Sequence, residues 1–320
     1  VLFGVLSMVA SAHTGSLVNN PFRGCFTAIV TPFSADGSKI DWGRLEAQIA
    51  AQASGGVTGI VISGTTGEST TLAHEEYEEL VKRAVPIAKS HRLMAIVGTG
   101  SNSTAHAIEM QKFAAGAGAD AALSVNPYYN KPTQEGLYRH FAAVAACSPL
   151  PIMLYNIPGR TGVALSLETI QRLAAIANIR AIKDATGGVD LASDTAARCP
   201  NLAVLSGDDP LTLPMMSVGA VGVVSVASNV APKLVSGLCR AAGEGRWADA
   251  LAIHRRLSGL IKALFAETNP IPVKAAMALL GLDTGSVRLP MTPATAATVE
   301  RLRSEMAALE LIGGGVSRAS

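Results

Sequence analysis

Short runs of apolar residues alternate along the chain with segments whose apolar positions recur at helical spacing. Continuous apolar runs are typical of strands buried on both faces, and their alternation with amphipathic helices is typical of a parallel sheet. We predict eight strands, at 24–30, 59–63, 94–97, 121–125, 151–155, 180–183, 203–206 and 222–226. The intervening segments predict helices at 42–54, 74–90, 103–117, 134–147, 166–176, 190–198 and 209–218.

Eight strand–helix units within about 200 residues match the size of a closed (β/α)₈ barrel, or TIM barrel, of the α/β class. A doubly wound sheet is the alternative. Its dinucleotide-binding form carries a Gly-x-Gly-x-x-Gly turn after an early strand. The nearest match in this chain, at residues 98–103, lacks the third glycine. We therefore predict the barrel.

Beyond residue 230 the pattern predicts helices without strands, at 231–243, 246–265, 271–281 and 294–310. We expect the barrel to occupy residues 21–230 and a C-terminal helical domain to occupy residues 231–312. Residues 1–20 are expected to be a disordered or vector-derived extension, because their apolar stretch resembles a secretory signal but lacks a basic start. The glycine-rich tail at 313–320 is expected to be disordered.

Composition and charge narrow the class of function. Of 320 residues 49% are apolar, enough for a large core, and the net charge is only +2. We therefore expect neither nucleic acid nor a membrane as a partner, and no segment has the roughly 18 apolar residues of a membrane span. The four cysteines are scattered and the six histidines form no HxH or HExxH pattern. These features predict a cytoplasmic protein with reduced thiols, no metal and no cofactor.

The sixth predicted strand ends in Lys183 and turns at once into a loop of small residues. The neighbouring positions are apolar, so we expect the Lys183 side chain to leave water. Burial disfavours the ammonium form, and this makes an amine nucleophilic near neutral pH. The ordinary alternative is a lysine whose ammonium group reaches bulk water at the rim of the sheet.

Residues that follow the strands of a parallel barrel gather at one end, where active sites are found. In this chain the strand ends supply hydroxyl groups, a phenol, an amine and a guanidinium group. They lie in the stretches 64–69, 126–130, 155–161 and 207–209, and at Lys183. This set suits a small carbonyl compound that also carries a carboxylate.

Each of these stretches also has an ordinary interpretation. The loop at 64–67 can be a tight turn or a nest of backbone N–H groups for any anion. The tyrosines at 128–129 can form a packing corner, Tyr155 can be an ordinary strand terminus, and Arg160 can be a surface residue. For the aspartates at 208–209 a helix N-cap and first turn is favoured.

Eight stretches, taken together, carry a more specific signal than any one of them. They are 64–69 (GTTGES), 127–132 (PYYNKP), 134–136 (QEG), 155–162 (YNIPGRTG), 182–186 (IKDAT), 206–208 (SGD), 269–274 (NPIPVK) and 288–293 (RLPMTP). In order and spacing, from about residue 22 to about residue 311, the chain resembles the dihydrodipicolinate synthase family.

The resemblance implies a (β/α)₈ barrel with a C-terminal helical domain, assembled as a homotetramer from a pair of dimers. It implies condensation of pyruvate with L-aspartate 4-semialdehyde to 4-hydroxy-tetrahydrodipicolinate, the first committed step towards diaminopimelate and lysine. Lys183 would form the Schiff base with pyruvate, and Tyr155 would be the general acid and base beside the imine. Thr65 would relay protons, as would Tyr129 reaching in from the neighbouring subunit.

The resemblance also implies the residues that bind the substrates. Thr66, with the N–H groups of its loop, would hold the pyruvate carboxylate. Arg160 would meet the semialdehyde carboxylate and steady Tyr129. Gly207 and Val224 would line the pocket through their backbone.

The family also contains N-acetylneuraminate lyase and keto-deoxy sugar acid aldolases, which share the barrel, the lysine and the phenol. The lyase usually carries Ser-Thr in the loop after the second strand and no arginine after the tyrosine of the fifth. This chain has Thr65, Thr66 and Arg160 at those positions. The synthase is therefore favoured, with another pyruvate-dependent aldolase as the alternative. A barrel that binds a ligand without catalysis is disfavoured, because the lysine, tyrosine and threonine set is complete.

In regulated relatives lysine binds at the tight-dimer interface, on residues that align with Ser69, His74, Tyr77, Asn102, His106 and Tyr128. Position 106 is commonly a glutamate, which pairs with the amino group of the effector. His106 cannot supply that negative charge, so we expect weak or absent inhibition by lysine. His74 in the first turn of a helix and Asn102 as an N-cap are the ordinary alternatives.

Overall fold

The computed structural model describes residues 20–313. Apart from residues 20 and 313 themselves, the predicted N-terminal extension at 1–20 and tail at 313–320 lie outside the described residues. Within 20–313, no helix is long and apolar enough to cross a membrane.

Eight parallel strands close into a barrel in the order β1 to β8. This confirms the predicted fold class and excludes the doubly wound alternative. The strands are β1 Gly24–Ala28, β2 Gly59–Ile62, β3 Met94–Gly98, β4 Ala121–Val125, β5 Ile152–Asn156, β6 Ile179–Asp184, β7 Ala203–Ser206 and β8 Gly222–Ser225. Each lies within two residues of its predicted limits, because buried apolar runs mark such strands clearly.

Helices follow the strands and continue after the last one. They are α1 Trp42–Ser54, α2 His74–Ser90, α3 Thr104–Gly116, α4 Gln134–Ala146, α5 Pro158–Thr161, α6 Leu167–Ala174, α7 Asp190–Arg198, α8 Thr212–Ser217, α9 Pro232–Gly243, α10 Trp247–Leu264, α11 Ile271–Leu279 and α12 Ala296–Ala308. The pattern does not predict α5, a single turn that begins at a proline. The segment predicted as one helix at 209–218 is a 3₁₀ turn followed by α8. The domain limit at residue 230 stays a prediction.

Capping side chains set the starts of several helices. Before α1 the Asp41 carboxylate accepts a hydrogen bond from the backbone N–H of Arg44. Before α4 the Thr133 hydroxyl accepts one from the N–H of Gly136. Each bond satisfies an amide that the helix itself leaves unpaired.

The described part of the chain divides into two compact units, and the first comprises residues 20–23, Thr99–Gly116 and Asp120–Val223. Its hydrophobic core combines side chains of β5 to β7 with side chains of α3, α4 and α6. Buried members of this core include Leu137, Phe141, Leu154, Ile170, Leu173, Ile182 and Val204. Successive side chains of a strand point to opposite faces, so the neighbours of Ile182 point away from this helix-facing core.

The second unit comprises Gly24–Gly98, Ala117–Ala119 and residues 224–313. It contains β1 to β3, whose parallel pairing is regular, together with the C-terminal helices. A Cβ added at Gly259 of α10 would collide with the Glu305 carboxylate of α12. Gly259 therefore lies directly against the end of the Glu305 side chain.

Candidate active site

Lys183 and Tyr155 are direct neighbours on adjacent strands of the first unit. In the parallel pairing of β5 with β6 their Cα atoms are partners, so the two side chains point to the same face. Each residue is only 5% exposed. The Lys183 Nζ lies 4.1 Å from the centroid of the Tyr155 ring.

The burial of Lys183 confirms the first expectation from the sequence and excludes the ordinary alternative of an ammonium group in bulk water. Ile182 packs into the helix-facing core, which directs the next side chain of the strand to the opposite face. A buried amine beside a phenol combines a nucleophile with a group that can donate and accept a proton. This is the arrangement that imine chemistry on a carbonyl compound requires.

Gly207 lies against the side chain of Lys183. A Cβ added at Gly207 would lie 3.1 Å from Lys183 Cε, 3.0 Å from the Asp184 carbonyl oxygen and 2.7 Å from Ala185 Cβ. The Gly207 N–H also donates to the Asp184 carbonyl oxygen at 2.6 Å. Glycine is needed here because the lysine stem and the strand backbone fill the space that a side chain would take.

Two aspartates near Lys183, Asp184 and Asp208, have shifted pKa values that the sequence interpretation did not anticipate. Burial raises the pKa of Asp184, whose carboxylate accepts the Thr186 N–H at 3.0 Å. Burial also raises the pKa of Asp208, while the Lys183 ammonium group acts in the opposite direction. Asp208 occupies the predicted N-cap position before a 3₁₀ turn but makes no side-chain capping bond. Asp208 is therefore connected to the site by its electrostatic interaction with Lys183 and not by a capping role.

Tyr129 and Arg160, also in the first unit, are exposed. Tyr129 is 90% exposed and has a left-handed backbone, with φ +73°. Such a backbone is uncommon for a residue other than glycine and is often found at functional positions. Arg160 lies in α5, two residues after Pro158, and is exposed.

Thr65 and Thr66 belong to the second unit, in the loop after β2. Thr65 is half-buried and Thr66 is 2% exposed. The Thr66 hydroxyl accepts a hydrogen bond from the Asn269 side-chain amide at 3.0 Å. Backbone bonds from Gly67 N to Gly64 O and from Glu68 N to Thr65 O, both 3.1 Å, close the loop. The loop is therefore a tight turn, one of its two ordinary interpretations, and the role of its threonines stays a prediction.

Val224 is fully buried in β8 of the second unit. Of the residues predicted to bind an effector, Ser69, His74 and Tyr77 lie in the second unit, whereas Asn102, His106 and Tyr128 lie in the first. Within its own unit, Tyr77 is buried and donates to the Gly98 carbonyl oxygen at 3.0 Å, and burial raises the pKa of its phenol. His74 begins α2, as its ordinary alternative predicted.

Within the first unit, the structure brings Lys183, Tyr155 and Gly207 together. Asn269 is a residue that the sequence interpretation left without a role. Its partner Thr66 lies 203 residues away along the chain, so no local pattern predicts their contact. The only signal in the sequence was the place of Asn269 in one of the eight stretches.

Comparisons with known proteins identify the family of the chain. The model of the Dihydrodipicolinate synthetase family matches residues 21–309. A 4-hydroxy-tetrahydrodipicolinate synthase from Methanothrix thermoacetophila is 46% identical over 297 residues, which is 92% of this chain and 99% of the relative.

Two solved structures are similar over almost their whole length. The chloride-inhibited dihydrodipicolinate synthase from Acinetobacter baumannii, complexed with pyruvate, is 45% identical, with a TM-score of 0.88 over 91% of this chain and 99% of its own. The enzyme from Cyanidioschyzon merolae with lysine bound is 43% identical, with a TM-score of 0.89 over 92% of this chain and 100% of its own. The family match and these identities lead to one conclusion: the chain belongs to the dihydrodipicolinate synthetase family.

Proposed function

We propose that the protein condenses pyruvate with L-aspartate 4-semialdehyde through a Schiff base on Lys183, and that the product is 4-hydroxy-tetrahydrodipicolinate. The observation that carries the proposal is the buried Lys183 amine beside the Tyr155 ring, at 4.1 Å from its centroid. The activity for which the relatives are named, and the pyruvate bound to one of them, support the same reaction.

The reaction needs only these two substrates and releases one molecule of water. The Lys183 amine attacks the keto carbon of pyruvate, and loss of water from the carbinolamine leaves an iminium. The iminium withdraws electrons from the methyl group, so loss of one methyl proton gives an enamine. The enamine carbon attacks the aldehyde carbon, whose oxygen takes up a proton, and the nitrogen electron pair forms the iminium again. The amino group of the semialdehyde then attacks the iminium carbon, closes the ring and releases Lys183.

Tyr155 would move the protons of these steps. Its phenol can donate to the carbinolamine oxygen and accept from the pyruvate methyl group, whereas a carboxylate in its place would overstabilise the iminium. General acid–base catalysis of this kind contributes about 10²- to 10⁴-fold. The register of β5 with β6 fixes the phenol beside the amine more firmly than a flexible loop would.

Thr65 and Tyr129 would extend the proton relay. The 90% exposure of Tyr129 and its left-handed backbone fit a side chain that is held out from its own subunit, into the site of a neighbour. The proposal therefore includes a homotetramer of two dimers. Thr66 would bind the pyruvate carboxylate, and Arg160 would bind the carboxylate of the semialdehyde.

We also propose a cytoplasmic enzyme of lysine and diaminopimelate biosynthesis that lysine inhibits weakly or not at all. A relative binds lysine, but the effector position expected to hold a glutamate is His106 here. Its imidazole Nδ1 lies 3.3 Å from Glu109 Oε2, and both side chains are exposed.

A coupled assay tests the main proposal. With pyruvate present, the purified protein should turn over with aspartate semialdehyde and not with sugar-acid aldehydes. Borohydride reduction in the presence of pyruvate should add one pyruvyl group at Lys183, located by peptide mass spectrometry. Turnover with a sugar-acid aldehyde alone would assign the protein to the aldolases, and absence of any adduct would reject Schiff-base chemistry.

A further inference from the structure

A buried ion pair joins α11 to the loop that carries Thr65 and Thr66. Lys274 Nζ lies 2.7 Å from Glu68 Oε1, and the two side chains are 0% and 2% exposed. The same ammonium group donates to the Thr31 carbonyl oxygen at 2.9 Å and lies 4.0 Å from the centroid of the Phe33 ring. Burial lowers the pKa of Lys274, and the carboxylates of Asp283 and Glu68 oppose this shift.

Both carboxylate oxygens of Glu68 are used. Oε1 accepts from Lys274, and Oε2 accepts from the backbone N–H of Arg288 at 2.9 Å. Glu68 itself has a left-handed backbone, with φ +54°, at the point where the loop ends. A left-handed backbone costs a glutamate conformational free energy, and these two bonds help to offset that cost.

Lys274 also reaches the loop through Thr31. While the Thr31 carbonyl oxygen accepts from Lys274, its hydroxyl donates to the Gly67 carbonyl oxygen at 2.7 Å. The segment just before α11 makes a third connection, since Asn269 donates to the Thr66 hydroxyl. Two direct contacts and one connection through Thr31 therefore join α11 and the segment before it to residues 66–68.

Stability does not explain this arrangement. Removing two charges from water is costly, and well-packed apolar residues of similar volume often stabilise a protein as much as a buried ion pair does. An apolar residue at position 68 could not accept the hydrogen bonds from Lys274 and from the Arg288 N–H. The bonds do fix the orientation of the loop, and this is what a substrate-binding hydroxyl needs.

We propose that Lys274 and Glu68 are positioning residues that hold Thr66 in the orientation required to bind the pyruvate carboxylate. The inference rests on the proposed function, because it takes pyruvate as the ligand of Thr66. We expect neither residue to touch the reacting atoms, because both act through the loop.

Glu68→Gln is the sharpest test. A glutamine keeps one acceptor oxygen and replaces the other with an amide group that only donates. In the parent geometry that NH₂ group would therefore face a donor, either Lys274 Nζ or Arg288 N. The second variant, Glu68→Gln with Lys274→Met, removes the buried unpaired charge that the single variant leaves and so protects the fold. The matched control is Glu76→Gln, which breaks the ion pair of the neighbouring Arg288 side chain with Glu76 without touching the loop.

Steady-state kinetics with each substrate varied in turn gives the readout, at a temperature where circular dichroism shows every variant folded. We expect the KM for pyruvate to rise about tenfold or more in both Glu68 variants, since small misplacement of a binding group costs up to about 10²-fold. In the Glu68 variants the KM for the semialdehyde should stay within about twofold of the parent value. In Glu76→Gln the KM values for both substrates should stay within the same limit. A folded double variant with an unchanged KM for pyruvate would overturn the proposal.

The two proposals fail in different ways. If the parent protein gains no pyruvyl adduct with borohydride, the proposed function is wrong. The positioning proposal then fails with it, because it takes pyruvate as the ligand of Thr66. If the parent gains the adduct and turns over, but the Glu68 variants bind pyruvate as the parent does, only the positioning role is wrong. A loss of stability with unchanged kinetic constants would show that the pair supports the fold alone.

Discussion

Lys183 and Tyr155 are partners in the register of two neighbouring strands, so that the lysine amine lies 4.1 Å from the centroid of the tyrosine ring. The ring face is the electron-rich side of an aromatic group and attracts a cation. The same contact that favours an ammonium group would favour the positively charged iminium. Tyr155 therefore has two parts with separate effects, a ring that contacts the amine and a hydroxyl that moves protons.

Lys183→Met keeps an unbranched side chain of similar length in the same buried position and removes the amine. We expect the fold to persist and activity to fall by at least about 10³-fold, because the covalent path is closed. Borohydride with pyruvate should leave the mass of the variant unchanged. Lys262→Met, at an exposed lysine in the last turn of α10, serves as the control and should still gain the adduct. An adduct on the Lys183 variant would identify a different nucleophile.

Tyr155→Phe separates the two parts of the tyrosine. The ring stays against Lys183, so the adduct should still form, although more slowly. The lost hydroxyl should lower kcat by about 10²- to 10⁴-fold and leave the KM for pyruvate nearly unchanged. Tyr138→Phe is the matched control, since Arg172 lies over that ring at 3.8 Å and the residue has no predicted role. A kcat close to that of the parent would remove Tyr155 from the proton path.

The sequence was sufficient to locate Lys183 because local pattern determines its place. An apolar run marks the strand, the small residues after it mark the turn, and strand alternation sets which face each side chain takes. The barrel followed from the same pattern repeated eight times. Tyr155 as the neighbour of Lys183 needed one further step, the order and register of the strands.

The ion pair that holds the loop of Thr65 and Thr66 could not be predicted in the same way. Glu68 and Lys274 are 206 residues apart along the chain, and no local pattern encodes which distant residues meet. The signal present was indirect: Lys274 is a lone charge in an otherwise apolar first part of α11. Buried charges are rare unless paired, so this lysine implied a buried carboxylate without naming it.

Gly207→Ala introduces a methyl group into the space beside Lys183. The new Cβ would be 3.1 Å from Lys183 Cε and closer still to backbone and to Ala185, so the lysine must shift. We expect kcat/KM for pyruvate to fall about 10- to 100-fold with a small loss of stability. Gly188→Ala is the control, because a Cβ there meets no atom within 4 Å. Equal activity of the two variants would show that the lysine tolerates displacement.

Lysine added at millimolar concentration should leave the rate of the parent protein almost unchanged. A protonated His106 repels the amino group of the effector, and a neutral one offers no charge to attract it. His106→Glu should therefore increase inhibition by lysine, measured as the concentration that halves the rate at fixed pyruvate. Strong inhibition of the parent, or an unaltered response in the variant, would contradict the role of this position.

The stability of the protein should depend on pH through Asp283, which faces Lys274 and Glu68. Burial raises the pKa of this carboxyl group from 3.8 to about 6, against the effect of the Lys274 ammonium group. Between these values the folded state holds a proton that the unfolded state has lost. The free energy of unfolding therefore falls as pH rises through that interval and stays lowered above it.

Asp283→Asn removes this titration while its side-chain oxygen can still accept the Gly285 N–H, a bond of 2.8 Å in the parent. Relative to the parent, the variant should gain stability as pH rises from about 4 to about 6 and then hold a constant advantage, at most on the order of 3 kcal/mol. Urea unfolding at several pH values measures the free energy of unfolding of the variant and of the parent. The contributions of other titrating groups are common to both proteins and cancel when the two values are subtracted. Asp194→Asn, at an exposed position of α7, should give a curve parallel to the parent. A parallel curve for Asp283→Asn would mean that this carboxyl group is ionised in the folded protein throughout the interval, held by Lys274 more strongly than burial opposes it.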